Sequence, residues 1–91
     1  MTKEEFGLKI KEIRLSVGMS QIKFANLLGW KDSQSIAGIE SGKTPFPADK
    51  VYALNKVFPN ISIEDVIEDL AAVQKEKIRE KVYSSIPEKR K

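Results

Sequence analysis

The sequence predicts an all-α domain of about five short helices. Large apolar residues recur three and four positions apart through most of the first 73 residues. Glycines at 18, 29 and 42 stand close behind these runs, where a left-handed residue ends a helix. No segment reads as a strand, and there are no repeats or low-complexity tracts. With 41% of its 91 residues apolar and a single Trp, the chain can bury a modest core.

Each element has its own reason. Thr2-Lys3-Glu4-Glu5 is a capping box, in which the Thr oxygen accepts a first-turn N–H while Glu5 reaches back. Phe6, Ile10, Ile13 and Val17 then form the predicted stripe of helix one, and Gly18 ends it. Ser20 caps a second helix in which Ile22, Phe24, Ala25, Leu27 and Leu28 leave few solvent positions before Gly29. Asp32 or Ser33 caps a third, anchored by Ile36 and Ile39 and stopped at Gly42. The loop Gly42-Lys43-Thr44-Pro45-Phe46-Pro47 is ordered by two prolines around an aromatic residue. Pro47 suits the first turn of helix four, whose stripe is Val51, Leu54, Val57 and Phe58. Ser62-Ile63-Glu64-Asp65 opens helix five with carboxylates at its positive end, and Val66, Ile67, Leu70 and Val73 give it an apolar face. Beyond Val73 the pattern thins to Ile78 and Val82 among charges, and it stops at Pro87.

Composition narrows the functions available. The absence of Cys and His excludes disulfides, Cys/His zinc sites, haem ligation and catalytic sites built on imidazole or thiolate. Nothing else pairs a nucleophile with a base, so no enzyme is expected. The charged start Met1-Thr2-Lys3-Glu4-Glu5 carries no expectation of a signal peptide, and no stretch approaches the length of a membrane helix. A cytoplasmic location is expected, which suits a domain without cysteines. The net charge of +3 points weakly to a polyanionic partner. Most of the excess lies late in the chain: residues 74–91 hold seven basic residues against three acidic ones, whereas residues 51–73 are acidic. The expected organisation is a helix-turn-helix domain over residues 1–73 with a basic extension over 74–91.

The informative unit is Met19-Ser20-Gln21-Ile22-Lys23-Phe24-Ala25-Asn26-Leu27-Leu28-Gly29 followed by Gln34-Ser35-Ile36-Ala37-Gly38-Ile39-Glu40-Ser41-Gly42-Lys43. Two short helices joined by a Gly-containing turn form a helix-turn-helix, whose second helix can enter a DNA major groove. Ala25 lets the two helices approach closely. Ile36 and Ile39 point inward, which leaves Ser33, Gln34, Ala37 and Gly38 facing out. Gln34 can bond an adenine through both N6 and N7. Gln21, at the exposed start of helix two, offers donors to a phosphate.

At these residues the chain resembles the Cro/repressor (XRE) family of helix-turn-helix regulators. The matching elements are Ser20-Gln21, Phe24-Ala25-x-x-Leu28-Gly29, Ile36-x-x-Ile39-Glu40 and Gly42-Lys43, within roughly residues 8–70. The resemblance implies a lambda-repressor-like fold and double-stranded DNA as partner. It implies that Gln21 contacts phosphate and buttresses the recognition helix, that Ser33, Gln34, Ala37 and Gly38 face bases, and that Lys31, Ser41, Lys43 and Thr44 lie along phosphates. Two features depart from the family pattern. The turn after Gly29 is one residue longer, and Gly38 stands where the family often carries a long polar side chain. A glycine inside a helix costs about 1 kcal/mol relative to Ala. Close approach of the backbone to DNA is the expected reason for it.

Competing motifs are weaker. Ala37–Thr44 imitates a P-loop, but a P-loop follows a strand and opens a helix, whereas this run ends one. Ser20-x-x-Lys23 lacks the partner motifs of penicillin-recognising enzymes. Glu64, Asp65, Glu68 and Asp69 read as a solvated helix face, and Trp30 as a core residue. No cofactor, metal or nucleotide is expected. Ile67, Leu70, Val73, Ile78 and Val82 form an apolar stripe longer than a four-helix core requires, so a homodimer paired through it is expected. The alternative function is an antitoxin or adaptor that binds a protein partner through the same fold.

Overall fold

The capping box predicted at Thr2 is present. Thr2 Oγ1 accepts from the Glu5 N–H at 3.1 Å, and the Thr2 N–H donates to Glu5 Oε1 at 2.8 Å. The computed structural model describes residues 1–74 and 78–86. Among them every regular element is helical: α1 Lys3–Ser16, α2 Gln21–Leu27, α3 Gln34–Glu40, α4 Val51–Val57, α5 Ile63–Gln74 and α6 Ile78–Ser84, with a 3-10 turn Ala48–Lys50 leading into α4. The contacts divide the chain into two units, Met1–Phe46 and Pro47 onward.

In the first unit, three helices end alike. After α1, α2 and α3 the residue beyond the cap is Gly18, Gly29 or Gly42, each with positive φ. In each case the next N–H returns to the carbonyl five residues back: Met19 to Arg14, Trp30 to Ala25, and Lys43 to Gly38. This is the Schellman closure, and the conformation it needs strains any residue with a Cβ. The buried apolar residues of the unit are Phe6, Ile10, Phe24, Ala25, Leu28, Ile36, Ile39 and Phe46. A fully buried side chain of this size contributes about 1.5–3 kcal/mol. Phe6 and Phe46 meet with ring centroids 5.9 Å apart and planes tilted by 58°.

The stripes of α1 and α2 are narrower than the sequence suggests. Val17 is 53% exposed, and Arg14 takes its place on the buried face one turn after Ile10. Ile22 and Leu27 are 45% and 46% exposed, because a helix of two turns buries only one side, here Phe24 and Ala25. Gly7 sits against the end of α3. A Cβ on it would lie 2.1 Å from the Ile39 carbonyl oxygen and 3.0 Å from that of Glu40.

In the second unit Pro47 precedes the 3-10 turn rather than opening α4 directly. Val51, Leu54 and Phe58 are buried. Phe58 leaves the helix with φ −125° and ψ 82°, as a residue before proline tends to do. The Asn55 amide donates to the Ile61 carbonyl at 2.7 Å and closes the turn into α5, where Ser62 Oγ accepts from the Asp65 N–H at 3.3 Å.

The chain does not lose its pattern after Val73. α6 packs on α5 and on the 3-10 turn, with Ile78, Val82 and Ile86 buried. This corrects the expected pairing stripe. Ile67, Leu70, Ile78 and Val82 are no more than 2% exposed within one chain, so they are not a surface for a second copy; Val73 is half-buried. A polar latch backs this packing. Glu64 on α5 accepts hydrogen bonds from Tyr83 and Arg79, which lie one turn apart on α6. These bonds, Tyr83 first and Arg79 second, hold the Glu64 carboxyl below its ordinary range, and the same bond to Glu64 pushes the Tyr83 hydroxyl up. Of the basic residues expected in the extension, Arg79 and Lys81 lie on α6, while Lys75, Lys77, Lys89, Arg90 and Lys91 lie outside the described residues.

Candidate nucleic-acid interface

The turn between α2 and α3 is long, and a side chain spans it. The Asn26 amide donates to the Trp30 carbonyl at 2.7 Å and to that of Lys31 at 3.4 Å. Trp30 is half-buried. The cap of α3 falls to Asp32, whose Oδ1 accepts from the Gln34 N–H at 3.0 Å; Ser33 makes no capping bond.

From this start α3 turns Ile36 and Ile39 inward and leaves Gln34 and Ala37 exposed, with Ser33 and Gly38 half-buried. Gln34, Ala37, Gly38, Ser41 and Lys43 together line one open concavity. The end of the helix is drawn tightly onto Gly38. Its carbonyl accepts from Ser41 Oγ at 3.1 Å, from the Lys43 N–H at 2.9 Å and from the Thr44 N–H at 3.2 Å. Ser41, Lys43 and Thr44 are exposed around this end, and Lys31 is exposed on the turn. A reason for the glycine at 38 lies within the chain. A Cβ there would stand 2.9 Å from Thr44 Oγ1 and 3.7 Å from Thr44 Cγ2, so Thr44 occupies the space beside it.

Behind the exposed face stands a buried ion pair that sequence reasoning missed. Arg14 Nε reaches Glu40 Oε2 at 2.7 Å and Arg14 Nη2 reaches Glu40 Oε1 at 3.0 Å. The two side chains are only 9% and 4% exposed. Arg14 Nη1 also donates to the Met19 carbonyl at 2.8 Å, and the hydrogen bond to Glu40 holds the guanidinium above its ordinary pKa. Gln21 is half-buried, and its amide donates to the same Glu40 Oε1 at 3.0 Å. One carboxylate thus ties α1, α2 and α3 together. The signal in the sequence was position: Arg14 falls four residues after Ile10 and eight after Phe6, on the buried face.

A family model described as Helix-turn-helix matches residues 10–66, more than half of the chain. The chain belongs to this family, of XRE type and lambda-repressor-like fold. Its members are DNA-binding regulators. No curated protein and no solved structure matches the chain. The helix-turn-helix itself is α2, the Asn26-braced turn and α3, all within the matched span; α6 lies beyond it. The P-loop imitation at Ala37–Thr44 is the tail of α3 and its Schellman closure, the reverse of a helix opening toward phosphates. No helix among the described residues is long and apolar enough to cross a membrane.

Proposed function

We propose that this protein is a sequence-specific regulator of transcription, a repressor or autoregulator, that binds double-stranded DNA with α3 in the major groove. One observation carries the reading: the outward side of α3 is open while its inner side is tied down. The Gln34 side chain makes no hydrogen bond within the described residues, and Gln34 and Ala37 are exposed side by side at the start of the helix. The first turns of such a helix reach base edges. Gln34 pairs with an adenine edge. Lys43, Ser41, Thr44 and Lys31 follow the phosphates and set the register without reading sequence. Gln21 supports this arrangement by bracing Glu40, and its place at the start of α2 suits a phosphate contact.

Selection of bound sites from a random duplex library tests the proposal, and the symmetry of the selected motif gives the number of copies bound. Gln34→Ala then weakens binding to the selected site by about 1–3 kcal/mol and leaves scrambled duplex almost unchanged. Lys43→Ala weakens both complexes alike and lowers the salt slope by about one ion. If neither substitution alters binding, this face is not the DNA surface.

A further inference from the structure

The outward face of α3 holds a notch. Gln34 stands at one end and Ser41 with Lys43 at the other, and between them the helix surface drops to the Ala37 methyl and the bare backbone of Gly38. A Cβ at 38 would crowd the end of the Thr44 side chain, so the bare backbone fits beside it. The backbone at the floor is also chemically closed. The Gly38 carbonyl already accepts from Ser41 Oγ and from the Lys43 and Thr44 N–H groups, and the Ala37 carbonyl accepts from the Ser41 N–H at 3.1 Å. The Ala37 N–H is spent on the Ser33 carbonyl at 2.9 Å. A group seated here therefore meets a methyl and carbonyls already engaged within the helix end.

Amino groups, ring nitrogens and carbonyl oxygens of base edges gain little from such a floor and lose their water on entering it. The major groove displays one apolar group, the 5-methyl of thymine. We propose that the Ala37–Gly38 notch recognises the 5-methyl group of a pyrimidine in the base pair next to the one read by Gln34. This rests on the groove-entering role of α3 proposed above. In ordinary DNA the group is thymine's; 5-methylcytosine carries the same methyl at the same place.

The test uses the full chain and a duplex bearing its selected site. Replacing each thymine singly by deoxyuridine removes one methyl and leaves every polar edge in place. At one position for each copy bound the affinity falls about four-fold, the worth of one buried methyl. Placing cytosine or 5-methylcytosine at that position gives a similar four-fold preference for the methylated base. In Ala37→Gly both ratios fall to about one. Each ratio compares two duplexes on one protein preparation, so any loss of folded protein cancels. A selected site indifferent to uracil at every thymine overturns the notch and leaves the groove reading standing. A uracil effect that survives intact in Ala37→Gly assigns the methyl to another residue and overturns it too. Selection that yields no preferred sequence overturns the groove reading and the notch with it.

Discussion

The Arg14 guanidinium grips the Glu40 carboxylate with two prongs, 2.7 and 3.0 Å long, across 26 residues of sequence. Neither group can turn to water, so removing one strands the other. Glu40→Ala is expected to destabilise the fold by about 3–5 kcal/mol in chemical denaturation. Replacing both partners, as Arg14→Met with Glu40→Leu, costs much less, because no buried charge is left over. Gln21→Ala loses one hydrogen bond to a charged group, about 1.5–3 kcal/mol at most.

Gly7 tests how closely α1 lies against the end of α3. A methyl at this position meets backbone oxygen, which cannot rotate aside as a side chain can. Gly7→Ala should therefore lower stability by about 1–3 kcal/mol, despite the better helix propensity of Ala. Thermal unfolding of the variant beside Lys11→Ala, a control on an exposed site, checks this.

At Gly38 the obstacle is the end of the Thr44 side chain. Gly38→Ala gains helix propensity and loses about as much in displacing Thr44, so its net effect should lie near zero. In a Thr44→Ala background the same substitution should recover a gain of about 0.4–1 kcal/mol. A double-mutant cycle of unfolding free energies measures the coupling. If Gly38→Ala stabilises equally in both backgrounds, Thr44 is not what keeps this position bare.

Glu64 predicts a dependence on acid. Its carboxyl is held below the ordinary value of 4.5 in the folded chain by Tyr83 and Arg79. A depressed carboxyl contributes stability that is present above the unfolded value and is lost as pH falls through the folded one. The attachment of α6 to α5 should thus weaken from about pH 4.5 downward. Methyl NMR signals of Ile78 and Val82, followed from pH 6 to 3, should shift in this window, and Glu64→Gln should flatten that response.

The starts of α1 and α2 and the ends of the first three helices were legible because they depend on neighbours in sequence. Thr2 with Glu5, Ser20 with Lys23, and the glycines at 18, 29 and 42 act over one turn, and each does in the structure what its type suggests. The outward face of α3 was legible for a similar reason, since Ile36 and Ile39 are the only large apolar residues to orient it. Side-chain burial on the two-turn helices was less so. Ile22 and Leu27 look like core residues by type, but only the placing of α2 decides which side is covered. Arg14 and Glu40 read as ordinary surface charges until the fold brings them together. Gly7 and Gly38 were opaque because Ile39 and Thr44, which explain them, are distant or lie outside the helix. The apolar stripe that made Ile67, Val82 and their neighbours look like a pairing surface serves equally well for a helix folded back on its own chain.

The way α3 is secured has a bearing on how such a protein diversifies. Ile36, Ile39, Glu40 and Gly42 hold the helix, whereas Gln34 and Ala37 contribute no side-chain bond to the scaffold. On the groove-reading role proposed for α3, drift at positions 34 and 37 would alter which operator is chosen while leaving the melting temperature nearly untouched. On that proposal, a duplicated copy could acquire a separate set of target genes through two codons, without first accumulating compensatory changes elsewhere.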